Sequence, residues 1–239
     1  MIPFSNMHNF SAELPTEVLD AIDKSSNYRS ISAGTTIVHG GDVCNELYQI
    51  CSGEARYCSV DTQGRETVAA FVKEGDWIGL SELFTGLPAM SDVEATRNVR
   101  LRVIRKPDFE LLIDQHPVIA RQLLRLLSLR FSAMYYLNVD RTALSLKERA
   151  VKTLYTLSFS HGKHGQNEDD ILIELSQEEL GKVLAVSRQN LNRVLKELER
   201  EGLLSLSYGA IRLKGLHGIL SQYGHLVDVN QPIPVYSDH

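Results

Sequence analysis

From Ile31 to about Arg105, apolar and polar residues alternate in short runs: TTIVHGGD, ELYQICSGEARYCSV, RETVAAFVKEGDWIGL and VEATRNVRLRVI. Turn residues separate them at Gly40-Gly41-Asp42, Gly53, Gly64, Gly75-Asp76 and Gly79. Short β-type runs between regularly spaced glycines predict an antiparallel roll or barrel. A short amphipathic helical segment over 12–28 leads into it.

The period then switches from two to about 3.6. Between Pro107 and Leu144 only Pro117 interrupts the pattern, and Leu123, Leu124, Leu127, Phe131, Met134 and Leu137 recur at three- and four-residue steps. This predicts one long amphipathic helix whose stripe suits a partner helix. Its length of ~50 Å exceeds what one small barrel can cover. A homodimer interface is therefore expected on Leu123, Leu127, Phe131, Met134 and Leu137, with Asn138 and Arg141 making the end of the seam polar.

Ser145-Leu146-Lys147-Glu148 is a capping box that opens a new helix, LKERAVKTLYTLSF. A loop, SHGKHGQNEDD, and a short strand, ILIEL, follow. A second box, Ser176-Gln177-Glu178-Glu179, starts the helix QEELGKVL. After the turn Ala185-Val186-Ser187 comes RQNLNRVLKELER, then a hairpin, LLSLSYGAIRLKG, turning near Tyr208-Gly209. Two helices across a tight turn followed by a hairpin make a winged helix-turn-helix. The expected class is α+β: a β-roll sensor-like domain over 1–106, a dimerisation helix over 107–144, a winged helix-turn-helix over 145–222, and an irregular or disordered tail over 223–239.

The second helix of such a motif lies in the major groove with its N-terminal residues at the base edges. Arg188, Gln189, Asn190, Asn192 and Arg193 crowd that end, while Val186, Leu191, Val194, Leu195 and Leu198 form the face that packs. Arginine is shaped to take guanine O6 and N7 together, and glutamine can pair with adenine. Ser187, Asn190 and Ser176 suit phosphate or sugar. The expected partner is double-stranded DNA with a pseudo-palindromic site.

Charge sharpens this division. The chain of 239 residues carries −5 overall. Residues 1–140 hold 13 Lys+Arg against 18 Asp+Glu, whereas residues 141–214 hold 12 against 10. An acidic front and a mildly basic back suit a DNA-facing C-terminal domain. The three cysteines, Cys44, Cys51 and Cys58, are spaced by seven, which fits neither a disulfide framework nor a metal site. No cofactor and no metal is expected. No apolar stretch is long enough to span a membrane, and MIPFSNMHNFSAELP lacks the features of a secretion signal, so a cytoplasmic location is expected.

The order β-roll, long helix, winged helix resembles the family of the cAMP receptor protein and the fumarate–nitrate regulator, bacterial transcription factors. The carrying motifs are GDVCNELYQICSGEARYCSV, EGDWIGLSELF and LSQEELGKVLAVSRQNLNRVLKELEREGLL, and the likeness covers about residues 10–220. Ser187, Arg188 and Arg193 match the start of the family's recognition helix, while Gln189 stands where a Glu is common. The resemblance also implies RNA polymerase as a partner, with the loop around His161–Asp170 as a contact. In the cAMP-binding members the phosphate site has a Gly-Glu and, some ten residues on, an Arg-Ser. Here Gly79 is followed by Leu80, and the second position reads Ala89-Met90. Met134 and Tyr135 stand where the helix would meet adenine. The expected pocket of Gly79, Leu80, Ser81, Glu82, Ala89, Met90, Ser91, Met134 and Tyr135 is thus more apolar than one built for a cyclic nucleotide.

These readings predict a homodimeric, sequence-specific transcription regulator that does not respond to cAMP. Its roll either takes an unknown small-molecule effector or fills its own pocket. The rival is a metabolite- or cyclic-nucleotide-binding module whose helix-turn-helix is only an interaction surface. No nucleophile–base set, metal-spaced ligands or phosphate loop argues for an enzyme.

Overall fold

Gly53 turns the first long hairpin with φ +91°, and a Cβ there would stand 2.2 Å from the Asn98 carbonyl oxygen. Only glycine fits both the left-handed backbone and that contact. The hairpin joins β3 (Glu46–Ser52) to β4 (Glu54–Val60) in the computed structural model, which describes residues 9–226 apart from 61, 63, 65 and 165–169. The expected tail lies outside the described residues from 227 onward.

The chain forms two compact units that divide between Arg130 and Phe131, inside the long helix. In the first unit, β1 (Asn27–Ile31), β2 (Thr36–Val38), β5 (Glu66–Lys73), β6 (Trp77–Ile78), β7 (Asp92–Ala95) and β8 (Val99–Arg105) join β3 and β4. Two antiparallel four-stranded sheets result, ordered β1-β8-β3-β6 and β2-β7-β4-β5. Their inner faces bury Val38, Ile50, Ala55, Val72, Ile78, Val93 and Leu101. This is the expected roll. The expected helical segment over 12–28 is shorter: a 3-10 turn (Phe10–Glu13) precedes α1 (Thr16–Lys24), and Asn27 already pairs with Val103 in β1.

A second core lies where helices cover the roll. Phe10, Val18, Ile22, Leu47, Trp77 and Phe109 pack together, with Trp77 centred 5.1 Å from Phe10 and 5.6 Å from Phe109. Leu80 and Leu83 of α2 (Leu80–Thr85) join this core.

The helix expected over 107–144 is two helices, α3 (Lys106–Gln115) and α4 (Pro117–Ala143). Pro117 offers no N–H to continue the ladder, and it pushes the residue before it out of the helical region. His116 accordingly sits at φ −130°, ψ 79°. The 27 residues of α4 rise ~40 Å, not ~50 Å.

The stripe on α4 also resolves into two. Ile119, Leu123 and Leu126 are buried in the second core of the roll unit. Ala120, Leu124, Phe131, Met134, Asn138 and Arg141 are exposed, and Leu127 is half-buried among them. Leu123 therefore belongs to the roll's own core, and Leu124 takes its place in the exposed row. Leu137 is half-buried.

The second unit holds the end of α4, then α5 (Leu146–His161), β9 (Gly162–His164), β10 (Asp170–Ile173), α6 (Gln177–Leu184), α7 (Arg188–Arg200), β11 (Leu204–Ser207), β12 (Ala210–Lys214) and α8 (Leu216–Tyr223). Both expected capping boxes form completely, at Ser145/Glu148 and Ser176/Glu179. The segment expected as a loop after α5 contributes β9, an edge strand in the sheet β11-β12-β10-β9.

Candidate nucleic-acid interface and effector region

α6 and α7 meet through a three-residue turn whose first member, Ala185, sits at φ 54°, ψ 48°. A left-handed residue at this point reverses the chain and lets Val186 N donate to the Gly181 carbonyl at 3.0 Å. Ser187 then caps α7, its hydroxyl accepting from Asn190 N at 3.4 Å. Its own O–H proton is left to donate elsewhere.

One face of α7 is used up in packing. Leu191, Val194, Leu195 and Leu198 are buried, and Val186 in the turn is half-buried. Arg188, Gln189, Asn190 and Arg193 are exposed and Asn192 is half-buried. Among the described residues, no hydrogen bond or ion pair engages the side chains of Arg188, Gln189 or Asn190. Arg193 acts only through space, helping to hold the Glu197 carboxyl below its usual range after the larger effect of Lys147. Arg188, Gln189 and Asn190 thus stand in the first turn of α7, at the positive end of its dipole, with Arg193 one turn further on. Ser176 differs from expectation: its O–H donates to Glu179 Oε2 at 2.7 Å and its oxygen accepts Glu179 N at 3.1 Å. The capping box has taken its proton, so it cannot also donate to a phosphate.

The C-terminal half of α7 is clamped from behind. Lys147 Nζ reaches Glu197 at 2.8 Å and Glu201 at 2.5 Å, tying the start of α5 to the end of α7.

Within the roll unit, the expected effector residues turn in different directions. Gly79 starts α2 at φ +91° with its Cβ position 3.1 Å from the Glu46 carbonyl oxygen. Leu80 turns into the helix-covered core and Ala89 into the core between the sheets. Met90, next to the buried Ala89, is 81% exposed. Ser81, Glu82 and Ser91 are half-buried, and Met134 and Tyr135 are exposed.

The sequence reading missed a charged group in the roll. Arg130 buries its guanidinium atoms Nε and Nη2, and its charge bears on Tyr57 and Asp76. Burial pushes the Tyr57 hydroxyl up, and Arg130 pulls it down in part. Burial likewise pushes Asp76 up to about 6, against the Lys73 backbone bond and the charges of Arg130 and Lys73. Arg130 follows Ile119, Leu123 and Leu126 at steps of four, three and four, which is the inward row of α4. Separating that row from the exposed one would have exposed the exception.

Cys58, Glu66 and Glu94 bring their donor atoms within 4.8 Å of one another. Arg56 already bonds both carboxylates, at 2.7 and 2.9 Å, so their charge is met without a metal. Residues 165–169 of the expected polymerase-contact loop lie outside the described residues.

Residues 28–116 match the cyclic nucleotide-binding domain family, and residues 148–220 match the Crp-like helix-turn-helix domain. The transcriptional regulator SdrP of Thermus thermophilus is 30% identical over 194 residues, 80% of this chain and 91% of that protein. The chain belongs to the CRP/FNR family of transcriptional regulators. Within the family, the cAMP-activated global regulator CRP of Salmonella typhimurium is 26% identical over 172 residues, 72% of this chain and 81% of CRP. A solved CRP/FNR-family regulator from T. thermophilus superposes with a TM-score of 0.67 at 26% identity, covering 83% of this chain and 98% of its own. The CRP/FNR assignment makes the protein a DNA-binding transcription regulator, and its relatives are regulators rather than enzymes. Among the described residues, no helix is long and apolar enough to cross a membrane.

Proposed function

We propose that the protein is a homodimeric, sequence-specific regulator whose two copies of α7 read a pseudo-palindromic DNA site. The carrying observation is the set of exposed, unengaged side chains Arg188, Gln189, Asn190 and Arg193 at the capped start of α7. Arg188 takes a guanine, Gln189 and Arg193 read neighbouring positions, and Ser187, Asn190 and Asn192 hold backbone or base edges. Dimerisation is supported by the row Ala120, Leu124, Leu127, Phe131, Met134 and Asn138, exposed but for the half-buried Leu127 and spaced four and three in turn as in a helix-pair seam. Two-fold pairing sets the half-site centres ~34 Å apart. RNA polymerase is the partner through which bound protein alters transcription, as the family assignment suggests.

The roll does not respond to cAMP in this reading, because Leu80 and Ala89 bring no charge to the phosphate.

Selection from a random duplex pool should return a two-fold symmetric consensus. Arg188→Ala should weaken binding to it by about 1–3 kcal/mol and relax one position per half-site. Unchanged affinity and specificity would remove Arg188 from the interface. Calorimetry should show no cAMP binding, and micromolar binding that tightens DNA affinity would reverse the effector reading.

A further inference from the structure

Three acids end a helix whose proposed work is to approach a polyanion. Glu197 and Glu199 lie in the last turns of α7, and Glu201 follows as its C-cap. A carboxylate turned to the duplex would be repelled by its phosphates. Each of the three is held by a partner within its own unit. Glu199 Oε1 accepts Leu206 N from β11 at 3.0 Å. Glu197 and Glu201 both accept from the Nζ of Lys147, the second residue of α5. Glu201 has a further bond, from the Tyr223 hydroxyl at 3.4 Å. Among the described residues, Lys147 is the one hydrogen-bond partner of the Glu197 side chain.

Glu197 lies four residues beyond Arg193, so the two stand on one face of α7, about 6 Å apart at Cβ. Their charges already act on each other. Lys147 holds the Glu197 carboxyl below its usual range, and Arg200 and Arg193 add to the effect. Arg200, three residues beyond Glu197, already donates its Nε to the Lys196 carbonyl at 3.3 Å. Arg193 is exposed, and among the described residues it makes no hydrogen bond. Without Lys147, the Glu197 carboxylate has the Arg193 guanidinium as its open partner. A guanidinium fits a carboxylate in the same forked way that it fits guanine O6 and N7. A pair within the helix would therefore compete with the base.

We infer that Lys147 is a positioning residue for DNA reading, which holds the Glu197 carboxylate against α5 and so leaves Arg193 open to the duplex. It acts through Arg193 and touches no base itself. The inference rests on the DNA-binding role proposed above.

The test is a cycle of full-length proteins on the selected duplex: wild type, Lys147→Met, Glu197→Gln and the two changes together. Lys147→Met keeps the length of the side chain and removes the ammonium. Glu197→Gln removes the carboxylate charge at constant size. Lys147→Met should lose about fivefold in affinity, less than Arg193→Ala, and should relax the same base position that Arg193→Ala relaxes. In the Glu197→Gln background the same change should cost less than about twofold. The tie between α5 and α7 is absent in both backgrounds, so any fall in melting temperature is common to both, whereas the loss of affinity is not. An equal loss of affinity in both backgrounds overturns the inference and makes Lys147 a structural tie. Wild-type affinity and specificity of Lys147→Met overturn it as well. A wild type that selects no sequence at all removes the DNA-binding role and this inference with it, a failure visible before any variant is made.

Discussion

Asp140 and Lys152 close an ion pair of 2.7 Å across the elbow between α4 and α5, with side chains 18% and 14% exposed. Water barely screens such a pair, so each member depends on the other. Asp140→Asn or Lys152→Met should each cost about 2–3 kcal/mol. The double variant should cost less than their sum, with a coupling of at least ~1 kcal/mol in a denaturation cycle. Strict additivity would mean that the pair contributes nothing beyond packing.

The two rows of α4 respond differently to charge. Phe131→Glu with Met134→Glu places carboxylates in the proposed seam and should give monomers in sedimentation, with the roll still folded. Leu123→Glu should instead unfold the roll, because Leu123 is 1% exposed in its core and a buried unpaired carboxylate costs several kcal/mol. Dimers that persist in the first variant would put the interface elsewhere.

Asp76 makes stability depend on pH. Folded, it keeps its proton to about pH 6, because burial pushes it up from 3.8. Between those values the native state binds more protons than the unfolded one, so stability falls as pH rises. A rise of about two units corresponds to ~3 kcal/mol lost from pH 4 to pH 7. Asp76→Asn keeps an acceptor for the Lys73 amide and removes the charge. It should stabilise the protein at pH 7.5 and flatten this slope in urea titrations. An identical slope in the variant would locate the effect in another group.

Ala185 is the only non-glycine residue with positive φ among the described residues. The left-handed region costs an L-residue about 1–2 kcal/mol, and glycine gives back part of any gain as chain entropy. Ala185→Gly should stabilise by about 0.5–1 kcal/mol, and Ala185→Val should destabilise by about 2 kcal/mol. The melting temperatures of the two variants check the order. A Gly variant less stable than wild type would deny that the turn is strained.

Local chemistry was legible in the sequence and long-range choice was not. Ser145/Glu148 and Ser176/Glu179 satisfy each other within four residues, so their capping boxes could be read directly. The same holds for the packed face of α7. Leu123 and Leu124 could not be told apart, because both fit a three-and-four pattern and only the roll's core decides which is buried. Arg130 was hidden for the same reason: a guanidinium on a helix looks solvated until the inward row is known. Leu80 and Ala89 were assigned to one pocket by their place in a motif, yet two separate cores claim them.

The inward row of α4 leaves one constraint on how this helix can change length. Ile119 faces the roll's core while Ala120 is exposed, a step of ~100° around the axis. One residue inserted between Leu126 and Phe131 would turn everything beyond it by that angle, so Phe131 and Met134 would leave the line of Leu124 and Leu127. Seven inserted residues would restore the line to within ~20°. The helix can therefore be lengthened in heptads but not by single residues, and its angular phase is as much a part of the design as the identity of its side chains.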